Sequence, residues 1–416
     1  MTPKARLNLF LGIVVVFLFF YIYDRSRPFN SVGNYSYINR ELDILTDPFT
    51  CNNIPERKYL EQRGLYYVLF NFVVAQRNFG CSETITLTAP GDFQFLENLV
   101  PLIRVWQGAV SIGVYAPGND FHMALASIAY LRNCEETLIK ELVSFHLIFD
   151  VDHVPNSQNN TPLIDSYIDH YDCSIPPPWE TIKQEDTYRR QNKLFYPLNV
   201  ARNVAKSAAR TYVLFPSDME LFPPRNFVGN FLQFAKENLK LFQENSKSVF
   251  VLPIFEIEEG QTIPENKTTL QEMLKNGKAI VFHKNICLEC HKVIDGDKWI
   301  EAAETEGLNL FSVGKRQGAY QYWEPFFLST QKEQFWDERF VWEGQRDKHV
   351  HVYAFCLMDY DFVVLDNAFL VHKPGIKKVK VQDEKYSDQV KKTKQIMKGI
   401  ETELQNIYGY NKKCIL

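Results

Sequence analysis

From Cys81 to Ile257 the chain alternates short apolar runs with longer amphipathic stretches, and few architectures accept that order. "ETITLTAPG" reads as a strand ending in a turn, "FLENLVPLIRVW" as a helix interrupted by Pro101, and "AVSIGVYAPG" as a second strand. "FHMALASIAYLRN" is a second helix, "LVSFHLIFD" a third strand, and "PLNVARNVAKSAAR" (197–210) a helix with proline at its start. That helix runs into "TYVLFPSDMELFPP", after which "SVFVLPIFEI" forms a further strand. The alternation predicts an α/β domain with a mostly parallel sheet covered on both faces. Ligands of such sheets bind beyond the carboxyl ends of the strands, so strand ends are where chemistry is expected.

Two of those ends carry paired acids, Asp150 and Asp152 after one strand, Asp218 and Glu220 after the next. Two carboxylates at a strand end can reach a hard divalent cation that also takes diphosphate oxygens. The pattern alone is weak. A chain with 50 acids in 416 residues contains roughly six acid-x-acid triplets by composition. No GxGxxG, Walker loop, GxSxG or HExxH stands at a suitable strand–helix junction, which argues against dinucleotide enzymes, P-loop NTPases, α/β-hydrolases and zinc proteases. The net charge of −4 is spread along the chain without a basic stripe, and no nucleic-acid partner is expected.

"LNLFLGIVVVFLFFYIY" (7–23) is apolar and uncharged, and meets the lower end of the length that spans a bilayer. Its exit, Tyr21-Ile22-Tyr23-Asp24, lacks the small residues of a cleavage site, so it reads as an uncleaved anchor. Lys4 and Arg6 ahead of it place the first six residues in the cytoplasm and the rest of the chain in a lumen. Sequons at Asn34, Asn159 and Asn266 and an even set of eight cysteines agree with that compartment. "CLECHK" (287–292) formally contains C-x-x-C-H, but a structural disulfide is the expected use of these cysteines. The chain thus divides into a tail (1–6), an anchor (7–23), a stem and lead-in (24–80), a domain (81–380) and a charged, helical C-terminal tail (381–416) expected to be a solvated cap.

The blocks of the domain resemble the family 49 glycosyltransferases, the group that contains β-1,4-glucuronyltransferase and the glucuronyltransferase domain of the matriglycan synthases. "VWQGAVSIGVYAPG", "YPLNVARNVAKSAARTYVLFPSDMELFPP", "VLPIFEI", "FHKNICLECH", "YWEPFFL", "DERFV" and "VVLDNAFLVHKPG" carry the resemblance, in order, over about residues 81–376. In that family the strand ends Asp-x-Asp, two hydrophobic residues and proline. Asp218-Met219-Glu220-Leu221-Phe222-Pro223 keeps this register with Glu for the second acid. Asp150 and Asp152 lack the preceding Tyr-Pro-x-Asn helix and sit one strand too early, so they are set aside.

The resemblance implies a GT-A-like Rossmann-type fold, Mn²⁺ as cofactor, a UDP-sugar donor, a glycan or glycoprotein acceptor, and a Golgi type II membrane enzyme. It assigns Asp218, Glu220 and His372 to the metal, Lys373 to phosphate charge, and Arg202 and Asn203 to the neighbourhood of the nucleotide. It also implies inversion at the anomeric carbon, which requires a base for the acceptor hydroxyl. Asp337 and Glu338 match the family's Asp-Glu-Arg-Phe block and are the candidate bases, with Glu343 and Asp347 close by. After that block the sequence departs from the family's Gly-Tyr-Gly-x-Asn-Lys, reading Trp342-Glu343-Gly344-Gln345-Arg346-Asp347-Lys348. The expected activity is transfer of β-linked glucuronic acid. Another donor such as UDP-N-acetylglucosamine, or a lapsed glycan-binding scaffold, stays open at this level.

Overall fold

A computed structural model describes residues 51, 54, 56–155, 168–243, 245–377 and 386–416. The anchor at 7–23, Asn34 and Asn159 lie outside these residues. Among the described residues no helix is long and apolar enough to cross a membrane.

The described chain opens with the hairpin β1 (Tyr59–Arg63) and β2 (Tyr66–Val73), then alternates as its pattern requires. In order come β3 (Thr86–Gly91), α1 (Leu99–Trp106), β4 (Val110–Tyr115), α2 (Asp120–Cys134), β5 (Val143–Asp150), α3 (Leu198–Ala208) and β6 (Val213–Pro216). Pro101 is harmless because it sits in the first turn of α1, where a backbone N–H has no helical partner. There follow β7 (Leu221–Phe222), α4 (Phe227–Glu237), β8 (Ser248–Leu252), β9 (Ile254–Ile257), β10 (Ala279–Val281), β11 (Asn309–Gly314) and β12 (Phe326–Thr330). The chain closes with α5 (His349–Leu357), β13 (Asp361–Asp366), β14 (Leu370–His372) and α6 (Ser387–Tyr408).

Ten strands form one sheet in the order β1-β2-β5-β4-β3-β6-β12-β8-β13-β11, and β10-β9-β14-β7 form a second. The expected parallel pairing holds in two blocks of the large sheet, the central β5-β4-β3-β6 and the β8–β13 pair. β5, β4, β3 and β6 run parallel to one another, whereas β1, β2, β12 and β11 pair antiparallel. Crossover connections produce parallel neighbours, as between β3 and β6 and again from β8 to β13, whereas β12 enters between β6 and β8 the other way. The expected single strand "SVFVLPIFEI" is divided at Pro253, with β8 in the large sheet and β9 in the small one. Proline has no N–H for a ladder, so the run breaks there.

Residues assigned to the lead-in supply β1 and β2, so the folded unit begins before Cys81. The C-terminal tail forms the helix α6, solvent-facing along most of its length, with Thr393, Met397 and Ile400 buried and Phe340 and Val350 among its core contacts. Four disulfides, Cys51–Cys81, Cys134–Cys173, Cys287–Cys290 and Cys356–Cys414, use all eight cysteines.

Helix α3, which carries Arg202 and Asn203, is seated directly on β4. Successive residues of β4 face opposite sides of the sheet: Ile112 and Val114 enter the main core, while Ser111 and Gly113 meet α3. Ser111 Oγ donates to the Ala205 carbonyl at 2.8 Å. A Cβ on Gly113 would lie 2.4 Å from the Ala201 carbonyl oxygen, so only glycine allows α3 to approach this closely.

Candidate functional site

The parallel strands stand in the order β5-β4-β3-β6, so the direction of winding reverses between β3 and β6. The crevice beyond the carboxyl ends at such a reversal is the general ligand position of open α/β sheets. β3 ends at Gly91 and β6 at Pro216, and the ladder continues one residue further, with Ser217 N–H donating to the Thr88 carbonyl at 3.0 Å. A turn closed by Leu221 N–H to the Asp218 carbonyl (3.2 Å) then carries Asp218, Met219 and Glu220. Met219 is buried against Gly91, where a Cβ would come within 2.4 Å of its Cε. With the middle residue anchored in the core, its two acidic neighbours keep side chains 38% and 29% exposed at the crevice.

β7 directly follows this turn and pairs antiparallel with β14, which sets His372 opposite Leu221. The register brings His372 Nε2 to 3.1 Å from Glu220 Oε2, and Lys373 N–H donates to the Glu220 carbonyl at 2.8 Å. His372 Nδ1 lies 2.8 Å from the Lys373 carbonyl, which can only accept, so Nδ1 carries a hydrogen. Nε2 faces Glu220 as a donor when it too is protonated and as a lone pair when it is not. A lone pair and a carboxylate oxygen facing each other are both acceptors unless a proton or a cation lies between them. The hydrogen bond to His372 holds the Glu220 carboxyl below its ordinary range.

Asp218 is flanked by cations. Arg202 Nη2 lies 3.6 Å and Lys348 Nζ 3.8 Å from its carboxylate oxygens. Burial would raise this carboxyl, but Lys348, Arg202, Lys377 and His372 together keep it below the usual range. Arg202, buried in α3, also donates to Asn199 Oδ1 at 3.0 Å and pairs with Asp347. Around this group stand His283 and His291, with rings 5.1 Å apart. Phe282 is 4.9 Å from His291 and 5.6 Å from His372. Burial lowers His291 to about 3 and, with Lys377 and Lys348 nearby, lowers His283 to about 4, so both are neutral at pH 7. Burial alone would raise Glu324, but the hydrogen bond from His349 Nε2 at 2.8 Å and nearby cations bring it to about 2.

Asp218, Glu220, His372 and Arg202 therefore gather at one place, as the sequence predicts. Other expected residues are engaged elsewhere. Asn203 Nδ2 donates to the Trp336 carbonyl at 2.8 Å and to Glu338 at 2.7 Å, and its Oδ1 accepts from Trp336 N–H at 2.9 Å. Glu338 also receives Arg63 Nε at 2.6 Å. Asp337 pairs with Arg339, which bridges to Glu403 at 2.7 Å. Lys373 Nζ sits 2.7 Å from Glu97, with both side chains 45% exposed. Glu343 is buried, accepting from Arg189 and from Tyr196 N–H at 2.9 Å each. Asn266 is exposed and caps the helix Lys267–Lys275 through Thr269 N–H at 2.9 Å. Asp150 accepts the Tyr115 hydroxyl at the end of β5, three strand positions and thus about 14 Å from β6. Asp152 is exposed.

Sequence reasoning passed over Lys348, Lys377, Asp347 as a partner of Arg202, and Asn199. Asn199 stands inside the Tyr-Pro-x-Asn motif and was within reach; Lys377 has no local signal at all. Among the described residues, no three His, Cys, Asp or Glu side chains are drawn together tightly enough to form a preassembled metal cluster.

The family described as "Glycosyl-transferase for dystroglycan" matches residues 84–409. The chain belongs to glycosyltransferase family 49. Beta-1,4-glucuronyltransferase 1 of Danio rerio is 23% identical over 296 residues, 70% of this chain and 67% of that protein. The corresponding protein of Homo sapiens is 24% identical over 287 residues, 67% of this chain and 65% of that protein. Xylosyl- and glucuronyltransferase LARGE1 of Homo sapiens is 21% identical over 349 residues, 83% of this chain but 38% of that protein. This family 49 chain thus spans about two thirds of the former proteins and well under half of the latter.

Proposed function

We propose that the protein is a GT-A-like enzyme transferring a sugar, β-linked glucuronic acid, from a UDP-sugar to a hydroxyl of a glycan with inversion. We further propose that it works in the Golgi lumen behind the Leu7–Tyr23 anchor. Family membership sets the reaction class, and one observation supports placing it at this site: Asp218 and Glu220 stand at the reversal of the sheet with His372 Nε2 turned onto Glu220.

Two carboxylates and an imidazole suit Mn²⁺, and the facing acceptors of Glu220 and His372 fit a cation between them. Asp218, Glu220 and His372 would hold the ion, which when bound supplies Lewis-acid neutralisation of the diphosphate. The chain's own contribution is electrostatic and positional. Arg202 orients Asp218 and Asp347 from a rigid helix, and Lys348 and Lys377 add positive potential where the leaving UDP gains charge. Asp337 and Glu338 remain the candidate bases; each holds an arginine, so that ion pair must open for either to take the acceptor proton.

A second donor is supported by one observation. The block that departs from the family pattern runs into the site, since Asp347 pairs with Arg202 and Lys348 approaches Asp218. UDP-N-acetylglucosamine is therefore the second reading. UDP release by the purified chain, measured over a panel of UDP-sugars with xylose- and glucuronate-terminated acceptors, separates the two. Acceptor-stimulated, chelator-sensitive release from UDP-glucuronate alone is expected. Preference for another donor replaces the named sugar, and no release from any donor by folded protein rejects the enzymatic reading.

A further inference from the structure

A cleft of about 560 Å³ opens at the carboxyl end of β5, lined among others by Arg63, Asp150, Lys193, Phe195, Glu338 and Lys392. We propose that this cleft is a binding subsite for the body of an anionic glycan, several sugar rings from the end that reacts at Asp218. The proposal rests on the sugar-transfer reading of the Asp218 site.

Its size lies within the range of small-molecule sites. The apolar surface in it is exposed: Phe195 is 42% and Leu65 73% accessible. Trp342, 54% exposed, joins the same neighbourhood through its N–H to the carbonyl of Tyr196, the residue after Phe195. Aromatic faces left in water beside polar groups suit the C–H-rich faces of sugar rings, which present hydroxyls at their edges. The polar groups are present: the Asp150 carboxylate is positioned by Tyr115, and Glu338 by Arg63 and Asn203. The arginines of the cleft are already paired, Arg63 with Glu338 and Arg339 with Asp337 and Glu403, which leaves two lysines, Lys193 and Lys392, against Asp150. In a chain of net charge −4 this local excess favours a saccharide that carries carboxylates.

The location links the cleft to the reaction. β5 and β6 belong to the same parallel set, so their carboxyl ends lie on one edge of the sheet. α3 contributes to both places through consecutive residues: Arg202 reaches Asp218, while Asn203 reaches Glu338. About 14 Å of strand spacing separates Asp150, at the far end of the cleft, from β6, a distance that a few linked sugars bridge. The cleft's other wall holds Glu338, a candidate base, so the cleft leads toward the reacting end.

The test uses the full chain with two acceptors of alternating xylose and glucuronate, a pentasaccharide and a disaccharide. Phe195→Ala and Lys193→Glu are expected to raise KM for the pentasaccharide on the order of tenfold, the usual result of truncating an aromatic anchor. kcat, and both constants for the disaccharide, should be unchanged, and Phe195→Tyr should restore pentasaccharide KM. Saturation-transfer NMR without donor should show pentasaccharide protons receiving magnetisation in the wild type and losing it in Phe195→Ala. Unchanged pentasaccharide KM and binding in both variants, with transfer intact, overturns the subsite alone. Pentasaccharide binding that depends on Phe195 in a chain showing no transfer upholds the subsite and overturns the enzymatic reading. Absence of pentasaccharide binding to the wild type overturns the subsite whatever the transfer result.

Discussion

His372 Nε2 and Glu220 Oε2 lie 3.1 Å apart across the β7–β14 ladder, with Nδ1 held by the Lys373 carbonyl. The contact joins residues 152 positions apart in the chain, and it is made by register rather than by sequence proximity. His372→Ala removes the nitrogen while leaving the ladder intact. On the proposed reading that His372 helps hold a metal ion, transfer activity should fall by at least roughly 10–100-fold, the cost of losing even an outer partner of a metal site, with unchanged circular dichroism. Manganese titration should show a weaker apparent affinity, and full activity in the variant would remove His372 from the site.

Gly113 lets α3 lie on β4, and α3 carries Arg202. Gly113→Ala sets a methyl group 2.4 Å from the Ala201 carbonyl, a backbone atom that moves only if the helix moves. Thermal or urea unfolding should show a loss of about 1–3 kcal/mol. UDP affinity should fall in the same variant, although residue 113 faces the helix and not the crevice. Loss of stability with unaltered UDP affinity would show that Arg202 tolerates the displacement.

Acid should destabilise the fold in two stages. Burial lowers His146 and His291 from 6.5 to about 3, so both gain protons on unfolding as pH drops below 6.5, and their contribution is present above that value. Glu324, lowered from 4.5 to about 2, contributes fully above pH 4.5 and loses that contribution as pH falls towards 2. The shift corresponds to roughly 3 kcal/mol at neutral pH. Urea midpoints between pH 7 and 2.5 should therefore differ most between wild type and Glu324→Gln at the neutral end and converge below pH 4. A constant difference at all pH values would refute the role of the His349 pair.

The Cys356–Cys414 bridge fastens the last residues to α5 across a sequence separation of 58. Cys414→Ser should cost about 4 kcal/mol by loop-closure entropy, and limited proteolysis should then cut first near α6. Proteolysis beginning elsewhere would mean that the buried Met397 and Ile400 hold α6 without the bridge.

Much of the large sheet was legible because its centre is made of local units. β3 to β6 each declare themselves by an apolar run, and α2 and α3 by their flanking turns. Direction was less legible: β12 reads like any other strand, and nothing in "FFLST" states that it enters antiparallel between β6 and β8. The acids of the site were visible as a strand ending in Asp218 and Glu220, and His372 as a histidine closing a strand. Lys348 and Lys377 were not, because a lysine acquires its role only from the carboxylate that folding brings near it. Asn203 shows partners that its motif does not announce. The side chain holds the Trp336 backbone and Glu338.

Pro253 divides one apolar run between two sheets, and the same partition falls across the site. Asp218 follows β6 of the ten-stranded sheet and Arg202 sits on α3, packed against that sheet, while Glu220 leads into β7 and His372 ends β14 in the four-stranded one. The candidate site therefore lies on a seam between two separately hydrogen-bonded sheets, joined by Met219 on one side and Pro253 on the other. A ligand that grips both banks acts as a clasp. It should raise the melting temperature with the logarithm of its concentration relative to its dissociation constant, and slow cleavage of the joining segments, whether or not any sugar is transferred.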